Sequence, residues 1–308
     1  MEDIASVEYG YPTLCAGVEK DTIETFLTEE DLLAKRTVRV FHRSVTSKVR
    51  PLERALNNYF KRFARKKLNT LRRNGTLRLF AGGSAAKLAK AEAVVLKALS
   101  REEEEAFVSL VLRYGDIARD EETNKIFKEY GLDEEVLPLI WPSKFYTAKR
   151  RILGETIRNL DAKAEGTIRD ILATSTQATI RPTTSSLARD ISNSLVGVTG
   201  VFGASETSRI ANTEIPSFKN FGKHVAYAKA GVEKLRWVSI IDSRTRPAQE
   251  KVPRANHIMM DKRETDIGVP FDMAVSGAKM FYPGDPSGPP YEVINCRCTL
   301  LPIGKPKR

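Results

Sequence analysis

The sequence predicts an α+β protein: a mostly helical N-terminal two-thirds built of long helices, followed by a small α+β C-terminal domain. Three observations carry this. Apolar residues recur at steps of three and four from Val38 through Phe63, β-branched alternation first appears at Leu235–Ile241, and from Asp242 onward Pro and Gly are frequent enough to exclude long helices. A chain of 308 residues can bury two cores. The expected division is a helical, locally basic region over 1–182 and an α+β domain over 183–308.

The elements follow in order. Val38, Phe41, Val45, Val49, Leu52, Leu56, Tyr59 and Phe63 form one helical stripe, with basic residues on the other faces. Pro51 either kinks this helix or starts a second one, because its ring removes a donor and clashes with the preceding turn. Asn74-Gly75 and Gly82-Gly83 are breakers, and Ser84 is suited to cap an Ala/Leu/Lys helix running to about Leu99. A helical run over 102–130 opens with four glutamates, where a helix N-terminus favours anions, and is open to interruption near Gly115. Pro138 and Pro142 mark a junction around Trp141. A long helix is expected over 143–172, with Gly154 and Gly166 as weak points; 174–186 is Thr/Ser-rich and reads as a turn. Helices over 184–195 and 205–230 flank a Gly-rich loop at 197–203. Residues 235–241 read as a strand, 294–300 as a second, and 304–308 as a mobile tail.

The formal charge of +11 is concentrated rather than spread. Between Lys35 and Arg78 fifteen Lys or Arg face Glu53 alone, whereas the first 31 residues hold nine acids against Lys20. Within the basic segment, Lys61, Arg62, Arg65, Lys66, Lys67, Arg72 and Arg73 are the best candidates for nucleic acid, since such side chains neutralise phosphates with salt-dependent, sequence-independent affinity. A solvated helix face, or one docked on an acidic protein, fits the same pattern. Tyr59, Phe60 and Phe63 interleave at a spacing that suits packing better than base stacking. No apolar run is long enough to span a bilayer, and Met1-Glu2-Asp3 lacks a signal-peptide layout, so a cytoplasmic origin without a membrane partner is expected. Three cysteines cannot all pair, and no disulfide framework is expected in a reducing compartment.

Cys296 and Cys298 stand one residue apart. On an extended segment both thiols share a face. With His257 they could supply three ligands to zinc, with Asp242 or Asp285 as a fourth. The same spacing also fits two small buried hydrophobes. Asp242-Ser243-Arg244-Thr245-Arg246 follows the strand. It reads as a turn in which Asp242 receives backbone donors and the arginines pair with acids such as Glu214 or Asp285, or else as a phosphate or acidic-partner contact. Arg209 and Glu214, five apart, do not share a helix face and are expected to meet different elements. Trp237 is expected in the core. The loop at 197–203 follows no strand and no Lys-Ser/Thr closes it, so it is not a phosphate cradle. Three histidines, at 42, 224 and 257, and no nucleophile–base constellation lead to the expectation that the chain is not an enzyme, with zinc as the one candidate cofactor.

Several signatures stand in a fixed order. They are Arg209-Ile210-Ala211-Asn212-Thr213-Glu214, Ala230-Gly231-Val232, Trp237, Asp242-Ser243-Arg244-Thr245-Arg246, His257, Phe271, Pro283-Gly284-Asp285 and Asn295-Cys296-Arg297-Cys298. The series, covering roughly the last hundred residues, resembles the minor head protein, or head morphogenesis, family of tailed bacteriophages, the group that includes the Mu F protein. Length and the basic helical front end look most like the minor head proteins of Bacillus siphophages. The motif residues are Arg209, Glu214, Trp237, Asp242, Arg244, Arg246, Asp285, Asn295 and Arg297. The family's His usually follows the Asp-x-Arg-Thr-Arg block closely; here Gln249 stands at that place and His257 comes late, which puts an insertion within 248–255. The resemblance implies a virion-interior protein, present in the host cytoplasm during assembly. It implies binding to the portal protein in the procapsid, with scaffolding or major capsid protein as further partners. Association with double-stranded DNA and an influence on its packaging or ejection are also implied, and no enzymatic activity is. Two other readings stand beside it: a metal-dependent hydrolase acting in head maturation through His257, Asp242 and the cysteines, and a DNA-compacting protein without a portal partner.

Overall fold

A computed structural model describes residues 29–81, 99–132, 140–177, 182–247 and 254–304. Among the described residues six helices come first: α1 (Glu29–Arg73), α2 (Thr76–Ala81), α3 (Arg101–Tyr130), α4 (Ile140–Gln177), α5 (Thr184–Val196) and α6 (Ala204–Lys229). Then follow β1 (Lys234–Val238), β2 (Glu264–Asp266), β3 (Phe271–Asp272), β4 (Lys279–Met280), the short helix α7 (Pro290–Val293) and β5 (Thr299–Ile303). This is the predicted architecture of long helices followed by a small α+β domain. The helix expected from Ser84, the acidic first residues, Pro138, and most of the expected insertion and tail lie outside the described residues.

The helices are longer than their sequence punctuation suggests. The stripe of Val38, Phe41, Val45, Val49, Leu52, Leu56 and Phe63 is buried along α1, which continues through Pro51. The carbonyl that loses its donor there belongs to Ser47, which is exposed, so water can serve it. Helix α3 opens with a capping box: Ser100 N–H donates to Glu103 Oε2 at 2.9 Å, and Glu103 N–H donates to Ser100 Oγ at 3.3 Å. It then runs uninterrupted through Gly115. A Cβ on Gly115 would lie 2.6 Å from the Phe218 ring, and one on Gly222 would lie 2.9 Å from the Arg119 carbonyl. These glycines are there for the close approach of α3 to α6, not to break a helix. Helix α4 likewise passes Gly154 and Gly166 and reaches residue 177, into the stretch expected to turn. Thr183 caps α5 by accepting from Ser186 N–H at 3.0 Å. No described helix is long and apolar enough to cross a membrane.

The chain forms two compact units, each drawn from separate segments: 1–48, 114–143 and 212–308 in the first, 49–113 and 144–211 in the second. The boundary expected at 182/183 falls inside the second. That unit is helical. Phe60 stacks on Phe202 with ring centroids 4.9 Å apart, and Tyr59, Phe63 and Phe107 surround the pair. The aromatic residues of the basic segment are therefore core, as their spacing predicts.

The first unit holds the β-structure. Strand β1 is the centre of an antiparallel sheet ordered β2-β1-β5, with Trp237 opposite Leu300 and Val238 opposite Thr299; β3 and β4 form a separate antiparallel pair. Val38 of α1 packs against Val238, Ile240 and Leu301. Residues 213–227 of α6 are all buried, polar ones included. Asn220 Nδ2 donates to the carbonyls of Pro283 (3.1 Å) and Cys298 (2.9 Å), while its Oδ1 accepts from Thr299 Oγ1. Two buried lysines share one buried carboxylate: Glu122 lies 3.1 Å from Lys219 Nζ and 3.7 Å from Lys223 Nζ. Lys223 also donates to Thr299 Oγ1 at 3.0 Å and lies over the Phe41 ring. Burial pushes its ammonium down to about 8, and the Glu122 charge works against that shift.

Removing the carboxylate would leave Lys223 buried without its anion and Lys219 with only the more distant Glu121, 3.9 Å away. Glu122→Gln is expected to cost about 3–5 kcal/mol in denaturant unfolding, against under about 1 kcal/mol for Glu121→Gln at the neighbouring, partly exposed acid. Equal, small losses would mean the cluster is not held together by charge.

Candidate metal centre

The site lies where β1, the loop after it and the segment entering β5 meet. Beyond its own last residue, β1 keeps its neighbours in place: Trp237 N–H donates to the Arg263 carbonyl and Lys262 N–H returns to the Trp237 carbonyl. Ser239 Oγ donates to the His257 carbonyl at 2.6 Å, and Ser239 N–H donates to Asp261 Oδ1 at 2.7 Å. The Arg246 carbonyl accepts from the N–H groups of His257 and Ile258. His257 is thereby set beneath the Trp237 ring, edge to face at 5.8 Å.

Opposite stand the two cysteines, on the segment that leads into β5. Cys296 and Cys298 are both buried and unpaired by disulfide. His257 Nδ1 lies 3.4 Å from Cys298 Sγ and 3.7 Å from Cys296 Sγ, and the three ligand atoms all fall within 4.8 Å of one another. On the far side of the ring, His257 Nε2 lies 2.8 Å from Glu292 Oε2. The remaining Glu292 oxygen accepts from Ser276 Oγ at 2.6 Å.

The electrostatics follow from this geometry. Burial works against a charged imidazole, but the Cys298 thiolate and Glu292 outweigh it and raise His257 to about 9. Burial also works against a Cys298 thiolate; hydrogen bonding with Cys296, His257 and Ser239, together with the charge on His257, brings it well below the usual thiol range. Its hydrogen bond to Cys298, together with burial, pushes Cys296 well above that range. The shifts favour charge on His257 and Cys298 and a neutral thiol at Cys296. Two sulfurs and an imidazole nitrogen are also the donor set zinc favours. His257, Cys296 and Cys298 are thus brought together as the sequence anticipated. The expectation that the chain has no catalytic constellation and is not an enzyme is corrected by this cluster, because three convergent ligands are what a catalytic metal needs from its protein.

The proposed fourth ligands stand elsewhere. The Asp242 carboxylate is gripped by both terminal nitrogens of Arg297, at 2.5 and 2.6 Å, and accepts from Arg244 N–H and Thr245 Oγ1. It acts as the anchor for the residue between the cysteines rather than as a ligand. Asp285 accepts from the N–H groups of Phe281 and Ser287 and closes a turn. There Gly284 adopts φ +80°, with its carbonyl taking the Ser217 hydroxyl. The arginines also differ from expectation. Arg246 reaches the carbonyls of Glu292 and Ile294, and Arg244 is exposed, with its guanidinium 3.7 Å from Asp242. Asn295, at φ 54°, donates its N–H to Thr213 Oγ1. Arg209 pairs with Glu206 on its own helix, Glu214 is buried, and Trp237 is fully buried core. Glu292, Ser276 and Ser239 were not anticipated. Glu292 carries no sequence signal beyond a position four residues before Cys296, behind the Pro289-Pro290 pair.

The basic candidates divide. Arg62, Arg65, Lys66 and Arg73 line a shallow groove on α1 with Asn69 and Thr70. Lys61 and Arg72 are exposed, while Lys66 pairs with Glu103. Lys67 points the other way: it is buried, 2.6 Å from Asp161 and 3.5 Å from Glu165, and is removed from any surface contact.

Comparison with protein-family models, curated proteins and solved structures finds no match to this chain.

Burial raises the Asp242 carboxyl, but its Arg297 partner outweighs that and holds it at about 2. Since the folded value lies below the unfolded one, this pair's contribution is complete above the unfolded carboxylate range and is lost as pH falls from about 4 through about 2. Asp242→Asn is expected to cost about 1 kcal/mol at neutral pH, a loss that shrinks toward zero at pH 2. Thermal unfolding of both proteins across that range measures it; a pH-independent difference would mean the ion pair does not contribute.

Proposed function

We propose that the C-terminal part of the chain is a zinc-binding module whose ion is held by His257, Cys296 and Cys298, and that its activity, where it has one, is metal-dependent hydrolysis. The observation that carries this reading is the convergence of one imidazole nitrogen and two sulfurs within 4.8 Å in a buried setting. The donor set suits a borderline-soft divalent ion and not magnesium or calcium, which take oxygen ligands. Three protein ligands would leave one tetrahedral position open, as in catalytic zinc sites, where the ion acts as a Lewis acid. The chain's own residues supply the rest: Glu292 and Ser276 orient the imidazole, Ser239 fixes its loop, and Asp242 with Arg297 fixes the cysteine segment.

Elemental analysis of the purified chain is expected to give about one zinc per chain, lost together with thermal stability on treatment with a strong chelator. Ester, phosphoester and peptide substrates offered to zinc-loaded and chelated protein then test the activity. A chain that binds no zinc ends the whole reading; one that binds zinc but turns over nothing confines it to structure.

A second reading draws support from the exposed arginines and lysines of α1 and from the resemblance to head-morphogenesis proteins: a minor capsid protein that meets the portal and associates with DNA. Lys61, Arg62, Arg65 and Arg73 have no acidic partner among the described residues and are free to meet phosphates. Reversing these four charges is expected to abolish binding to non-specific duplex DNA at moderate salt, and each single neutralisation to reduce the salt slope by about 1. Lys67→Ala is expected to lower stability instead, through loss of its buried pairs. An unchanged salt slope in the four-site variant would remove α1 from the DNA contact.

A further inference from the structure

We infer that Glu292, braced by Ser276, is the positioning residue that presents His257 to a metal through Nδ1 and excludes ligation through Nε2. This deepens the zinc reading and rests on it. Four observations carry it. Glu292 is fully buried, yet both of its oxygens are engaged, one by His257 Nε2 at 2.8 Å and the other by Ser276 Oγ at 2.6 Å. A carboxylate can only accept, so the ring proton it meets belongs to Nε2. With that proton fixed, a neutral imidazole keeps its lone pair on Nδ1, the nitrogen that faces both sulfurs. The ring cannot exchange its two nitrogens freely, because Trp237 packs against it and its backbone is held by Arg246 and Ser239.

The carrier of Glu292 is itself fixed. Helix α7 has one turn, too short to hold its own position. The Arg246 guanidinium binds the carbonyls of Glu292 and Ile294, and Cys296 N–H returns to the Val293 carbonyl. One guanidinium thus secures both the carboxylate that orients the imidazole and the start of the segment that carries the thiols. Carboxylates placed behind a ligating histidine fix its tautomer and raise its basicity, and their loss typically weakens metal binding by about 10–100-fold.

The test uses the full chain stripped of metal and titrated with Co²⁺, and with Zn²⁺ in competition with a chromophoric chelator. It compares wild type with Glu292→Gln, Glu292→Leu and Ser276→Ala. Wild type is expected to give a thiolate-to-cobalt charge-transfer band. Glu292→Leu is expected to bind Zn²⁺ about 10–100-fold more weakly, with Glu292→Gln recovering part of the loss and Ser276→Ala losing least. Nitrogen-15 spectra of histidine-labelled, zinc-loaded wild type are expected to show the His257 proton on Nε2 and the metal on Nδ1. A purely structural Glu292 would lower the stability of the metal-free protein without moving the affinity or the tautomer. The inference is overturned if wild type binds zinc while Glu292→Leu binds within about twofold of it, or if His257 ligates through Nε2. Where the variants do not fold, the tautomer in wild type decides. A wild type with no thiolate–cobalt band and no zinc affinity overturns the zinc reading itself, an outcome distinct from the other two.

Discussion

Residues 296–298, just ahead of β5, divide their side chains between two partners, and that division makes the site. Cys296 and Cys298 face inward onto His257, and Arg297 between them closes on Asp242. Arg297, fixed by Asp242, helps hold the two thiols under one imidazole ahead of β5. Other residues serve the same segment: Asn295 enters it through a left-handed turn fixed by Thr213, Asn220 donates to the Cys298 carbonyl, and Arg246 ties down the helix before it. Polar residues that look like separate signatures along the chain are parts of one scaffold.

How much of this was legible in the sequence depends on the range of the interaction. The stripe from Val38 to Phe63 and the proximity of Cys296 to Cys298 are local patterns that the structure follows, whereas the strand expected over 235–241 ends at Val238 and the one expected over 294–300 begins only at Thr299. Pro51 and Gly115 look like local interruptions but are not. An exposed carbonyl absorbs the first, and the second is needed by a ring a hundred residues away, which no local rule can see. Lys67 illustrates the same limit on charge: its neighbours in sequence mark it as surface, while Asp161 and Glu165 make it core. Glu292 was illegible because a carboxylate acquires its role here only from the imidazole it meets, and that imidazole comes from a loop 35 positions earlier.

The two buried charge clusters differ in kind. Around Glu122, one carboxylate serves two lysines whose ammoniums also find hydroxyl and carbonyl oxygens, so the cations are largely satisfied inside the protein. Around His257, ligation by all three donors would release the protons held by the imidazole Nδ1 and the Cys296 thiol, so metal binding there would be coupled to pH. The first cluster joins α3, α6 and β5; the second is a candidate site for an ion.

The interleaving of the compact units has a consequence for how such a module can be inherited. The residues that carry the candidate site begin near 237, yet the sheet beneath them packs its Val238, Ile240 and Leu301 on Val38, and the lysines of the helix that cradles it find their anion at Glu122. A stretch copied from 183 onward into another gene would arrive with an uncovered apolar sheet face and two buried cations lacking their counterion. The portable piece is therefore not the contiguous one: recombination could transplant this site only by carrying along two earlier helical segments, 29–48 and 114–130, that share no motif with it.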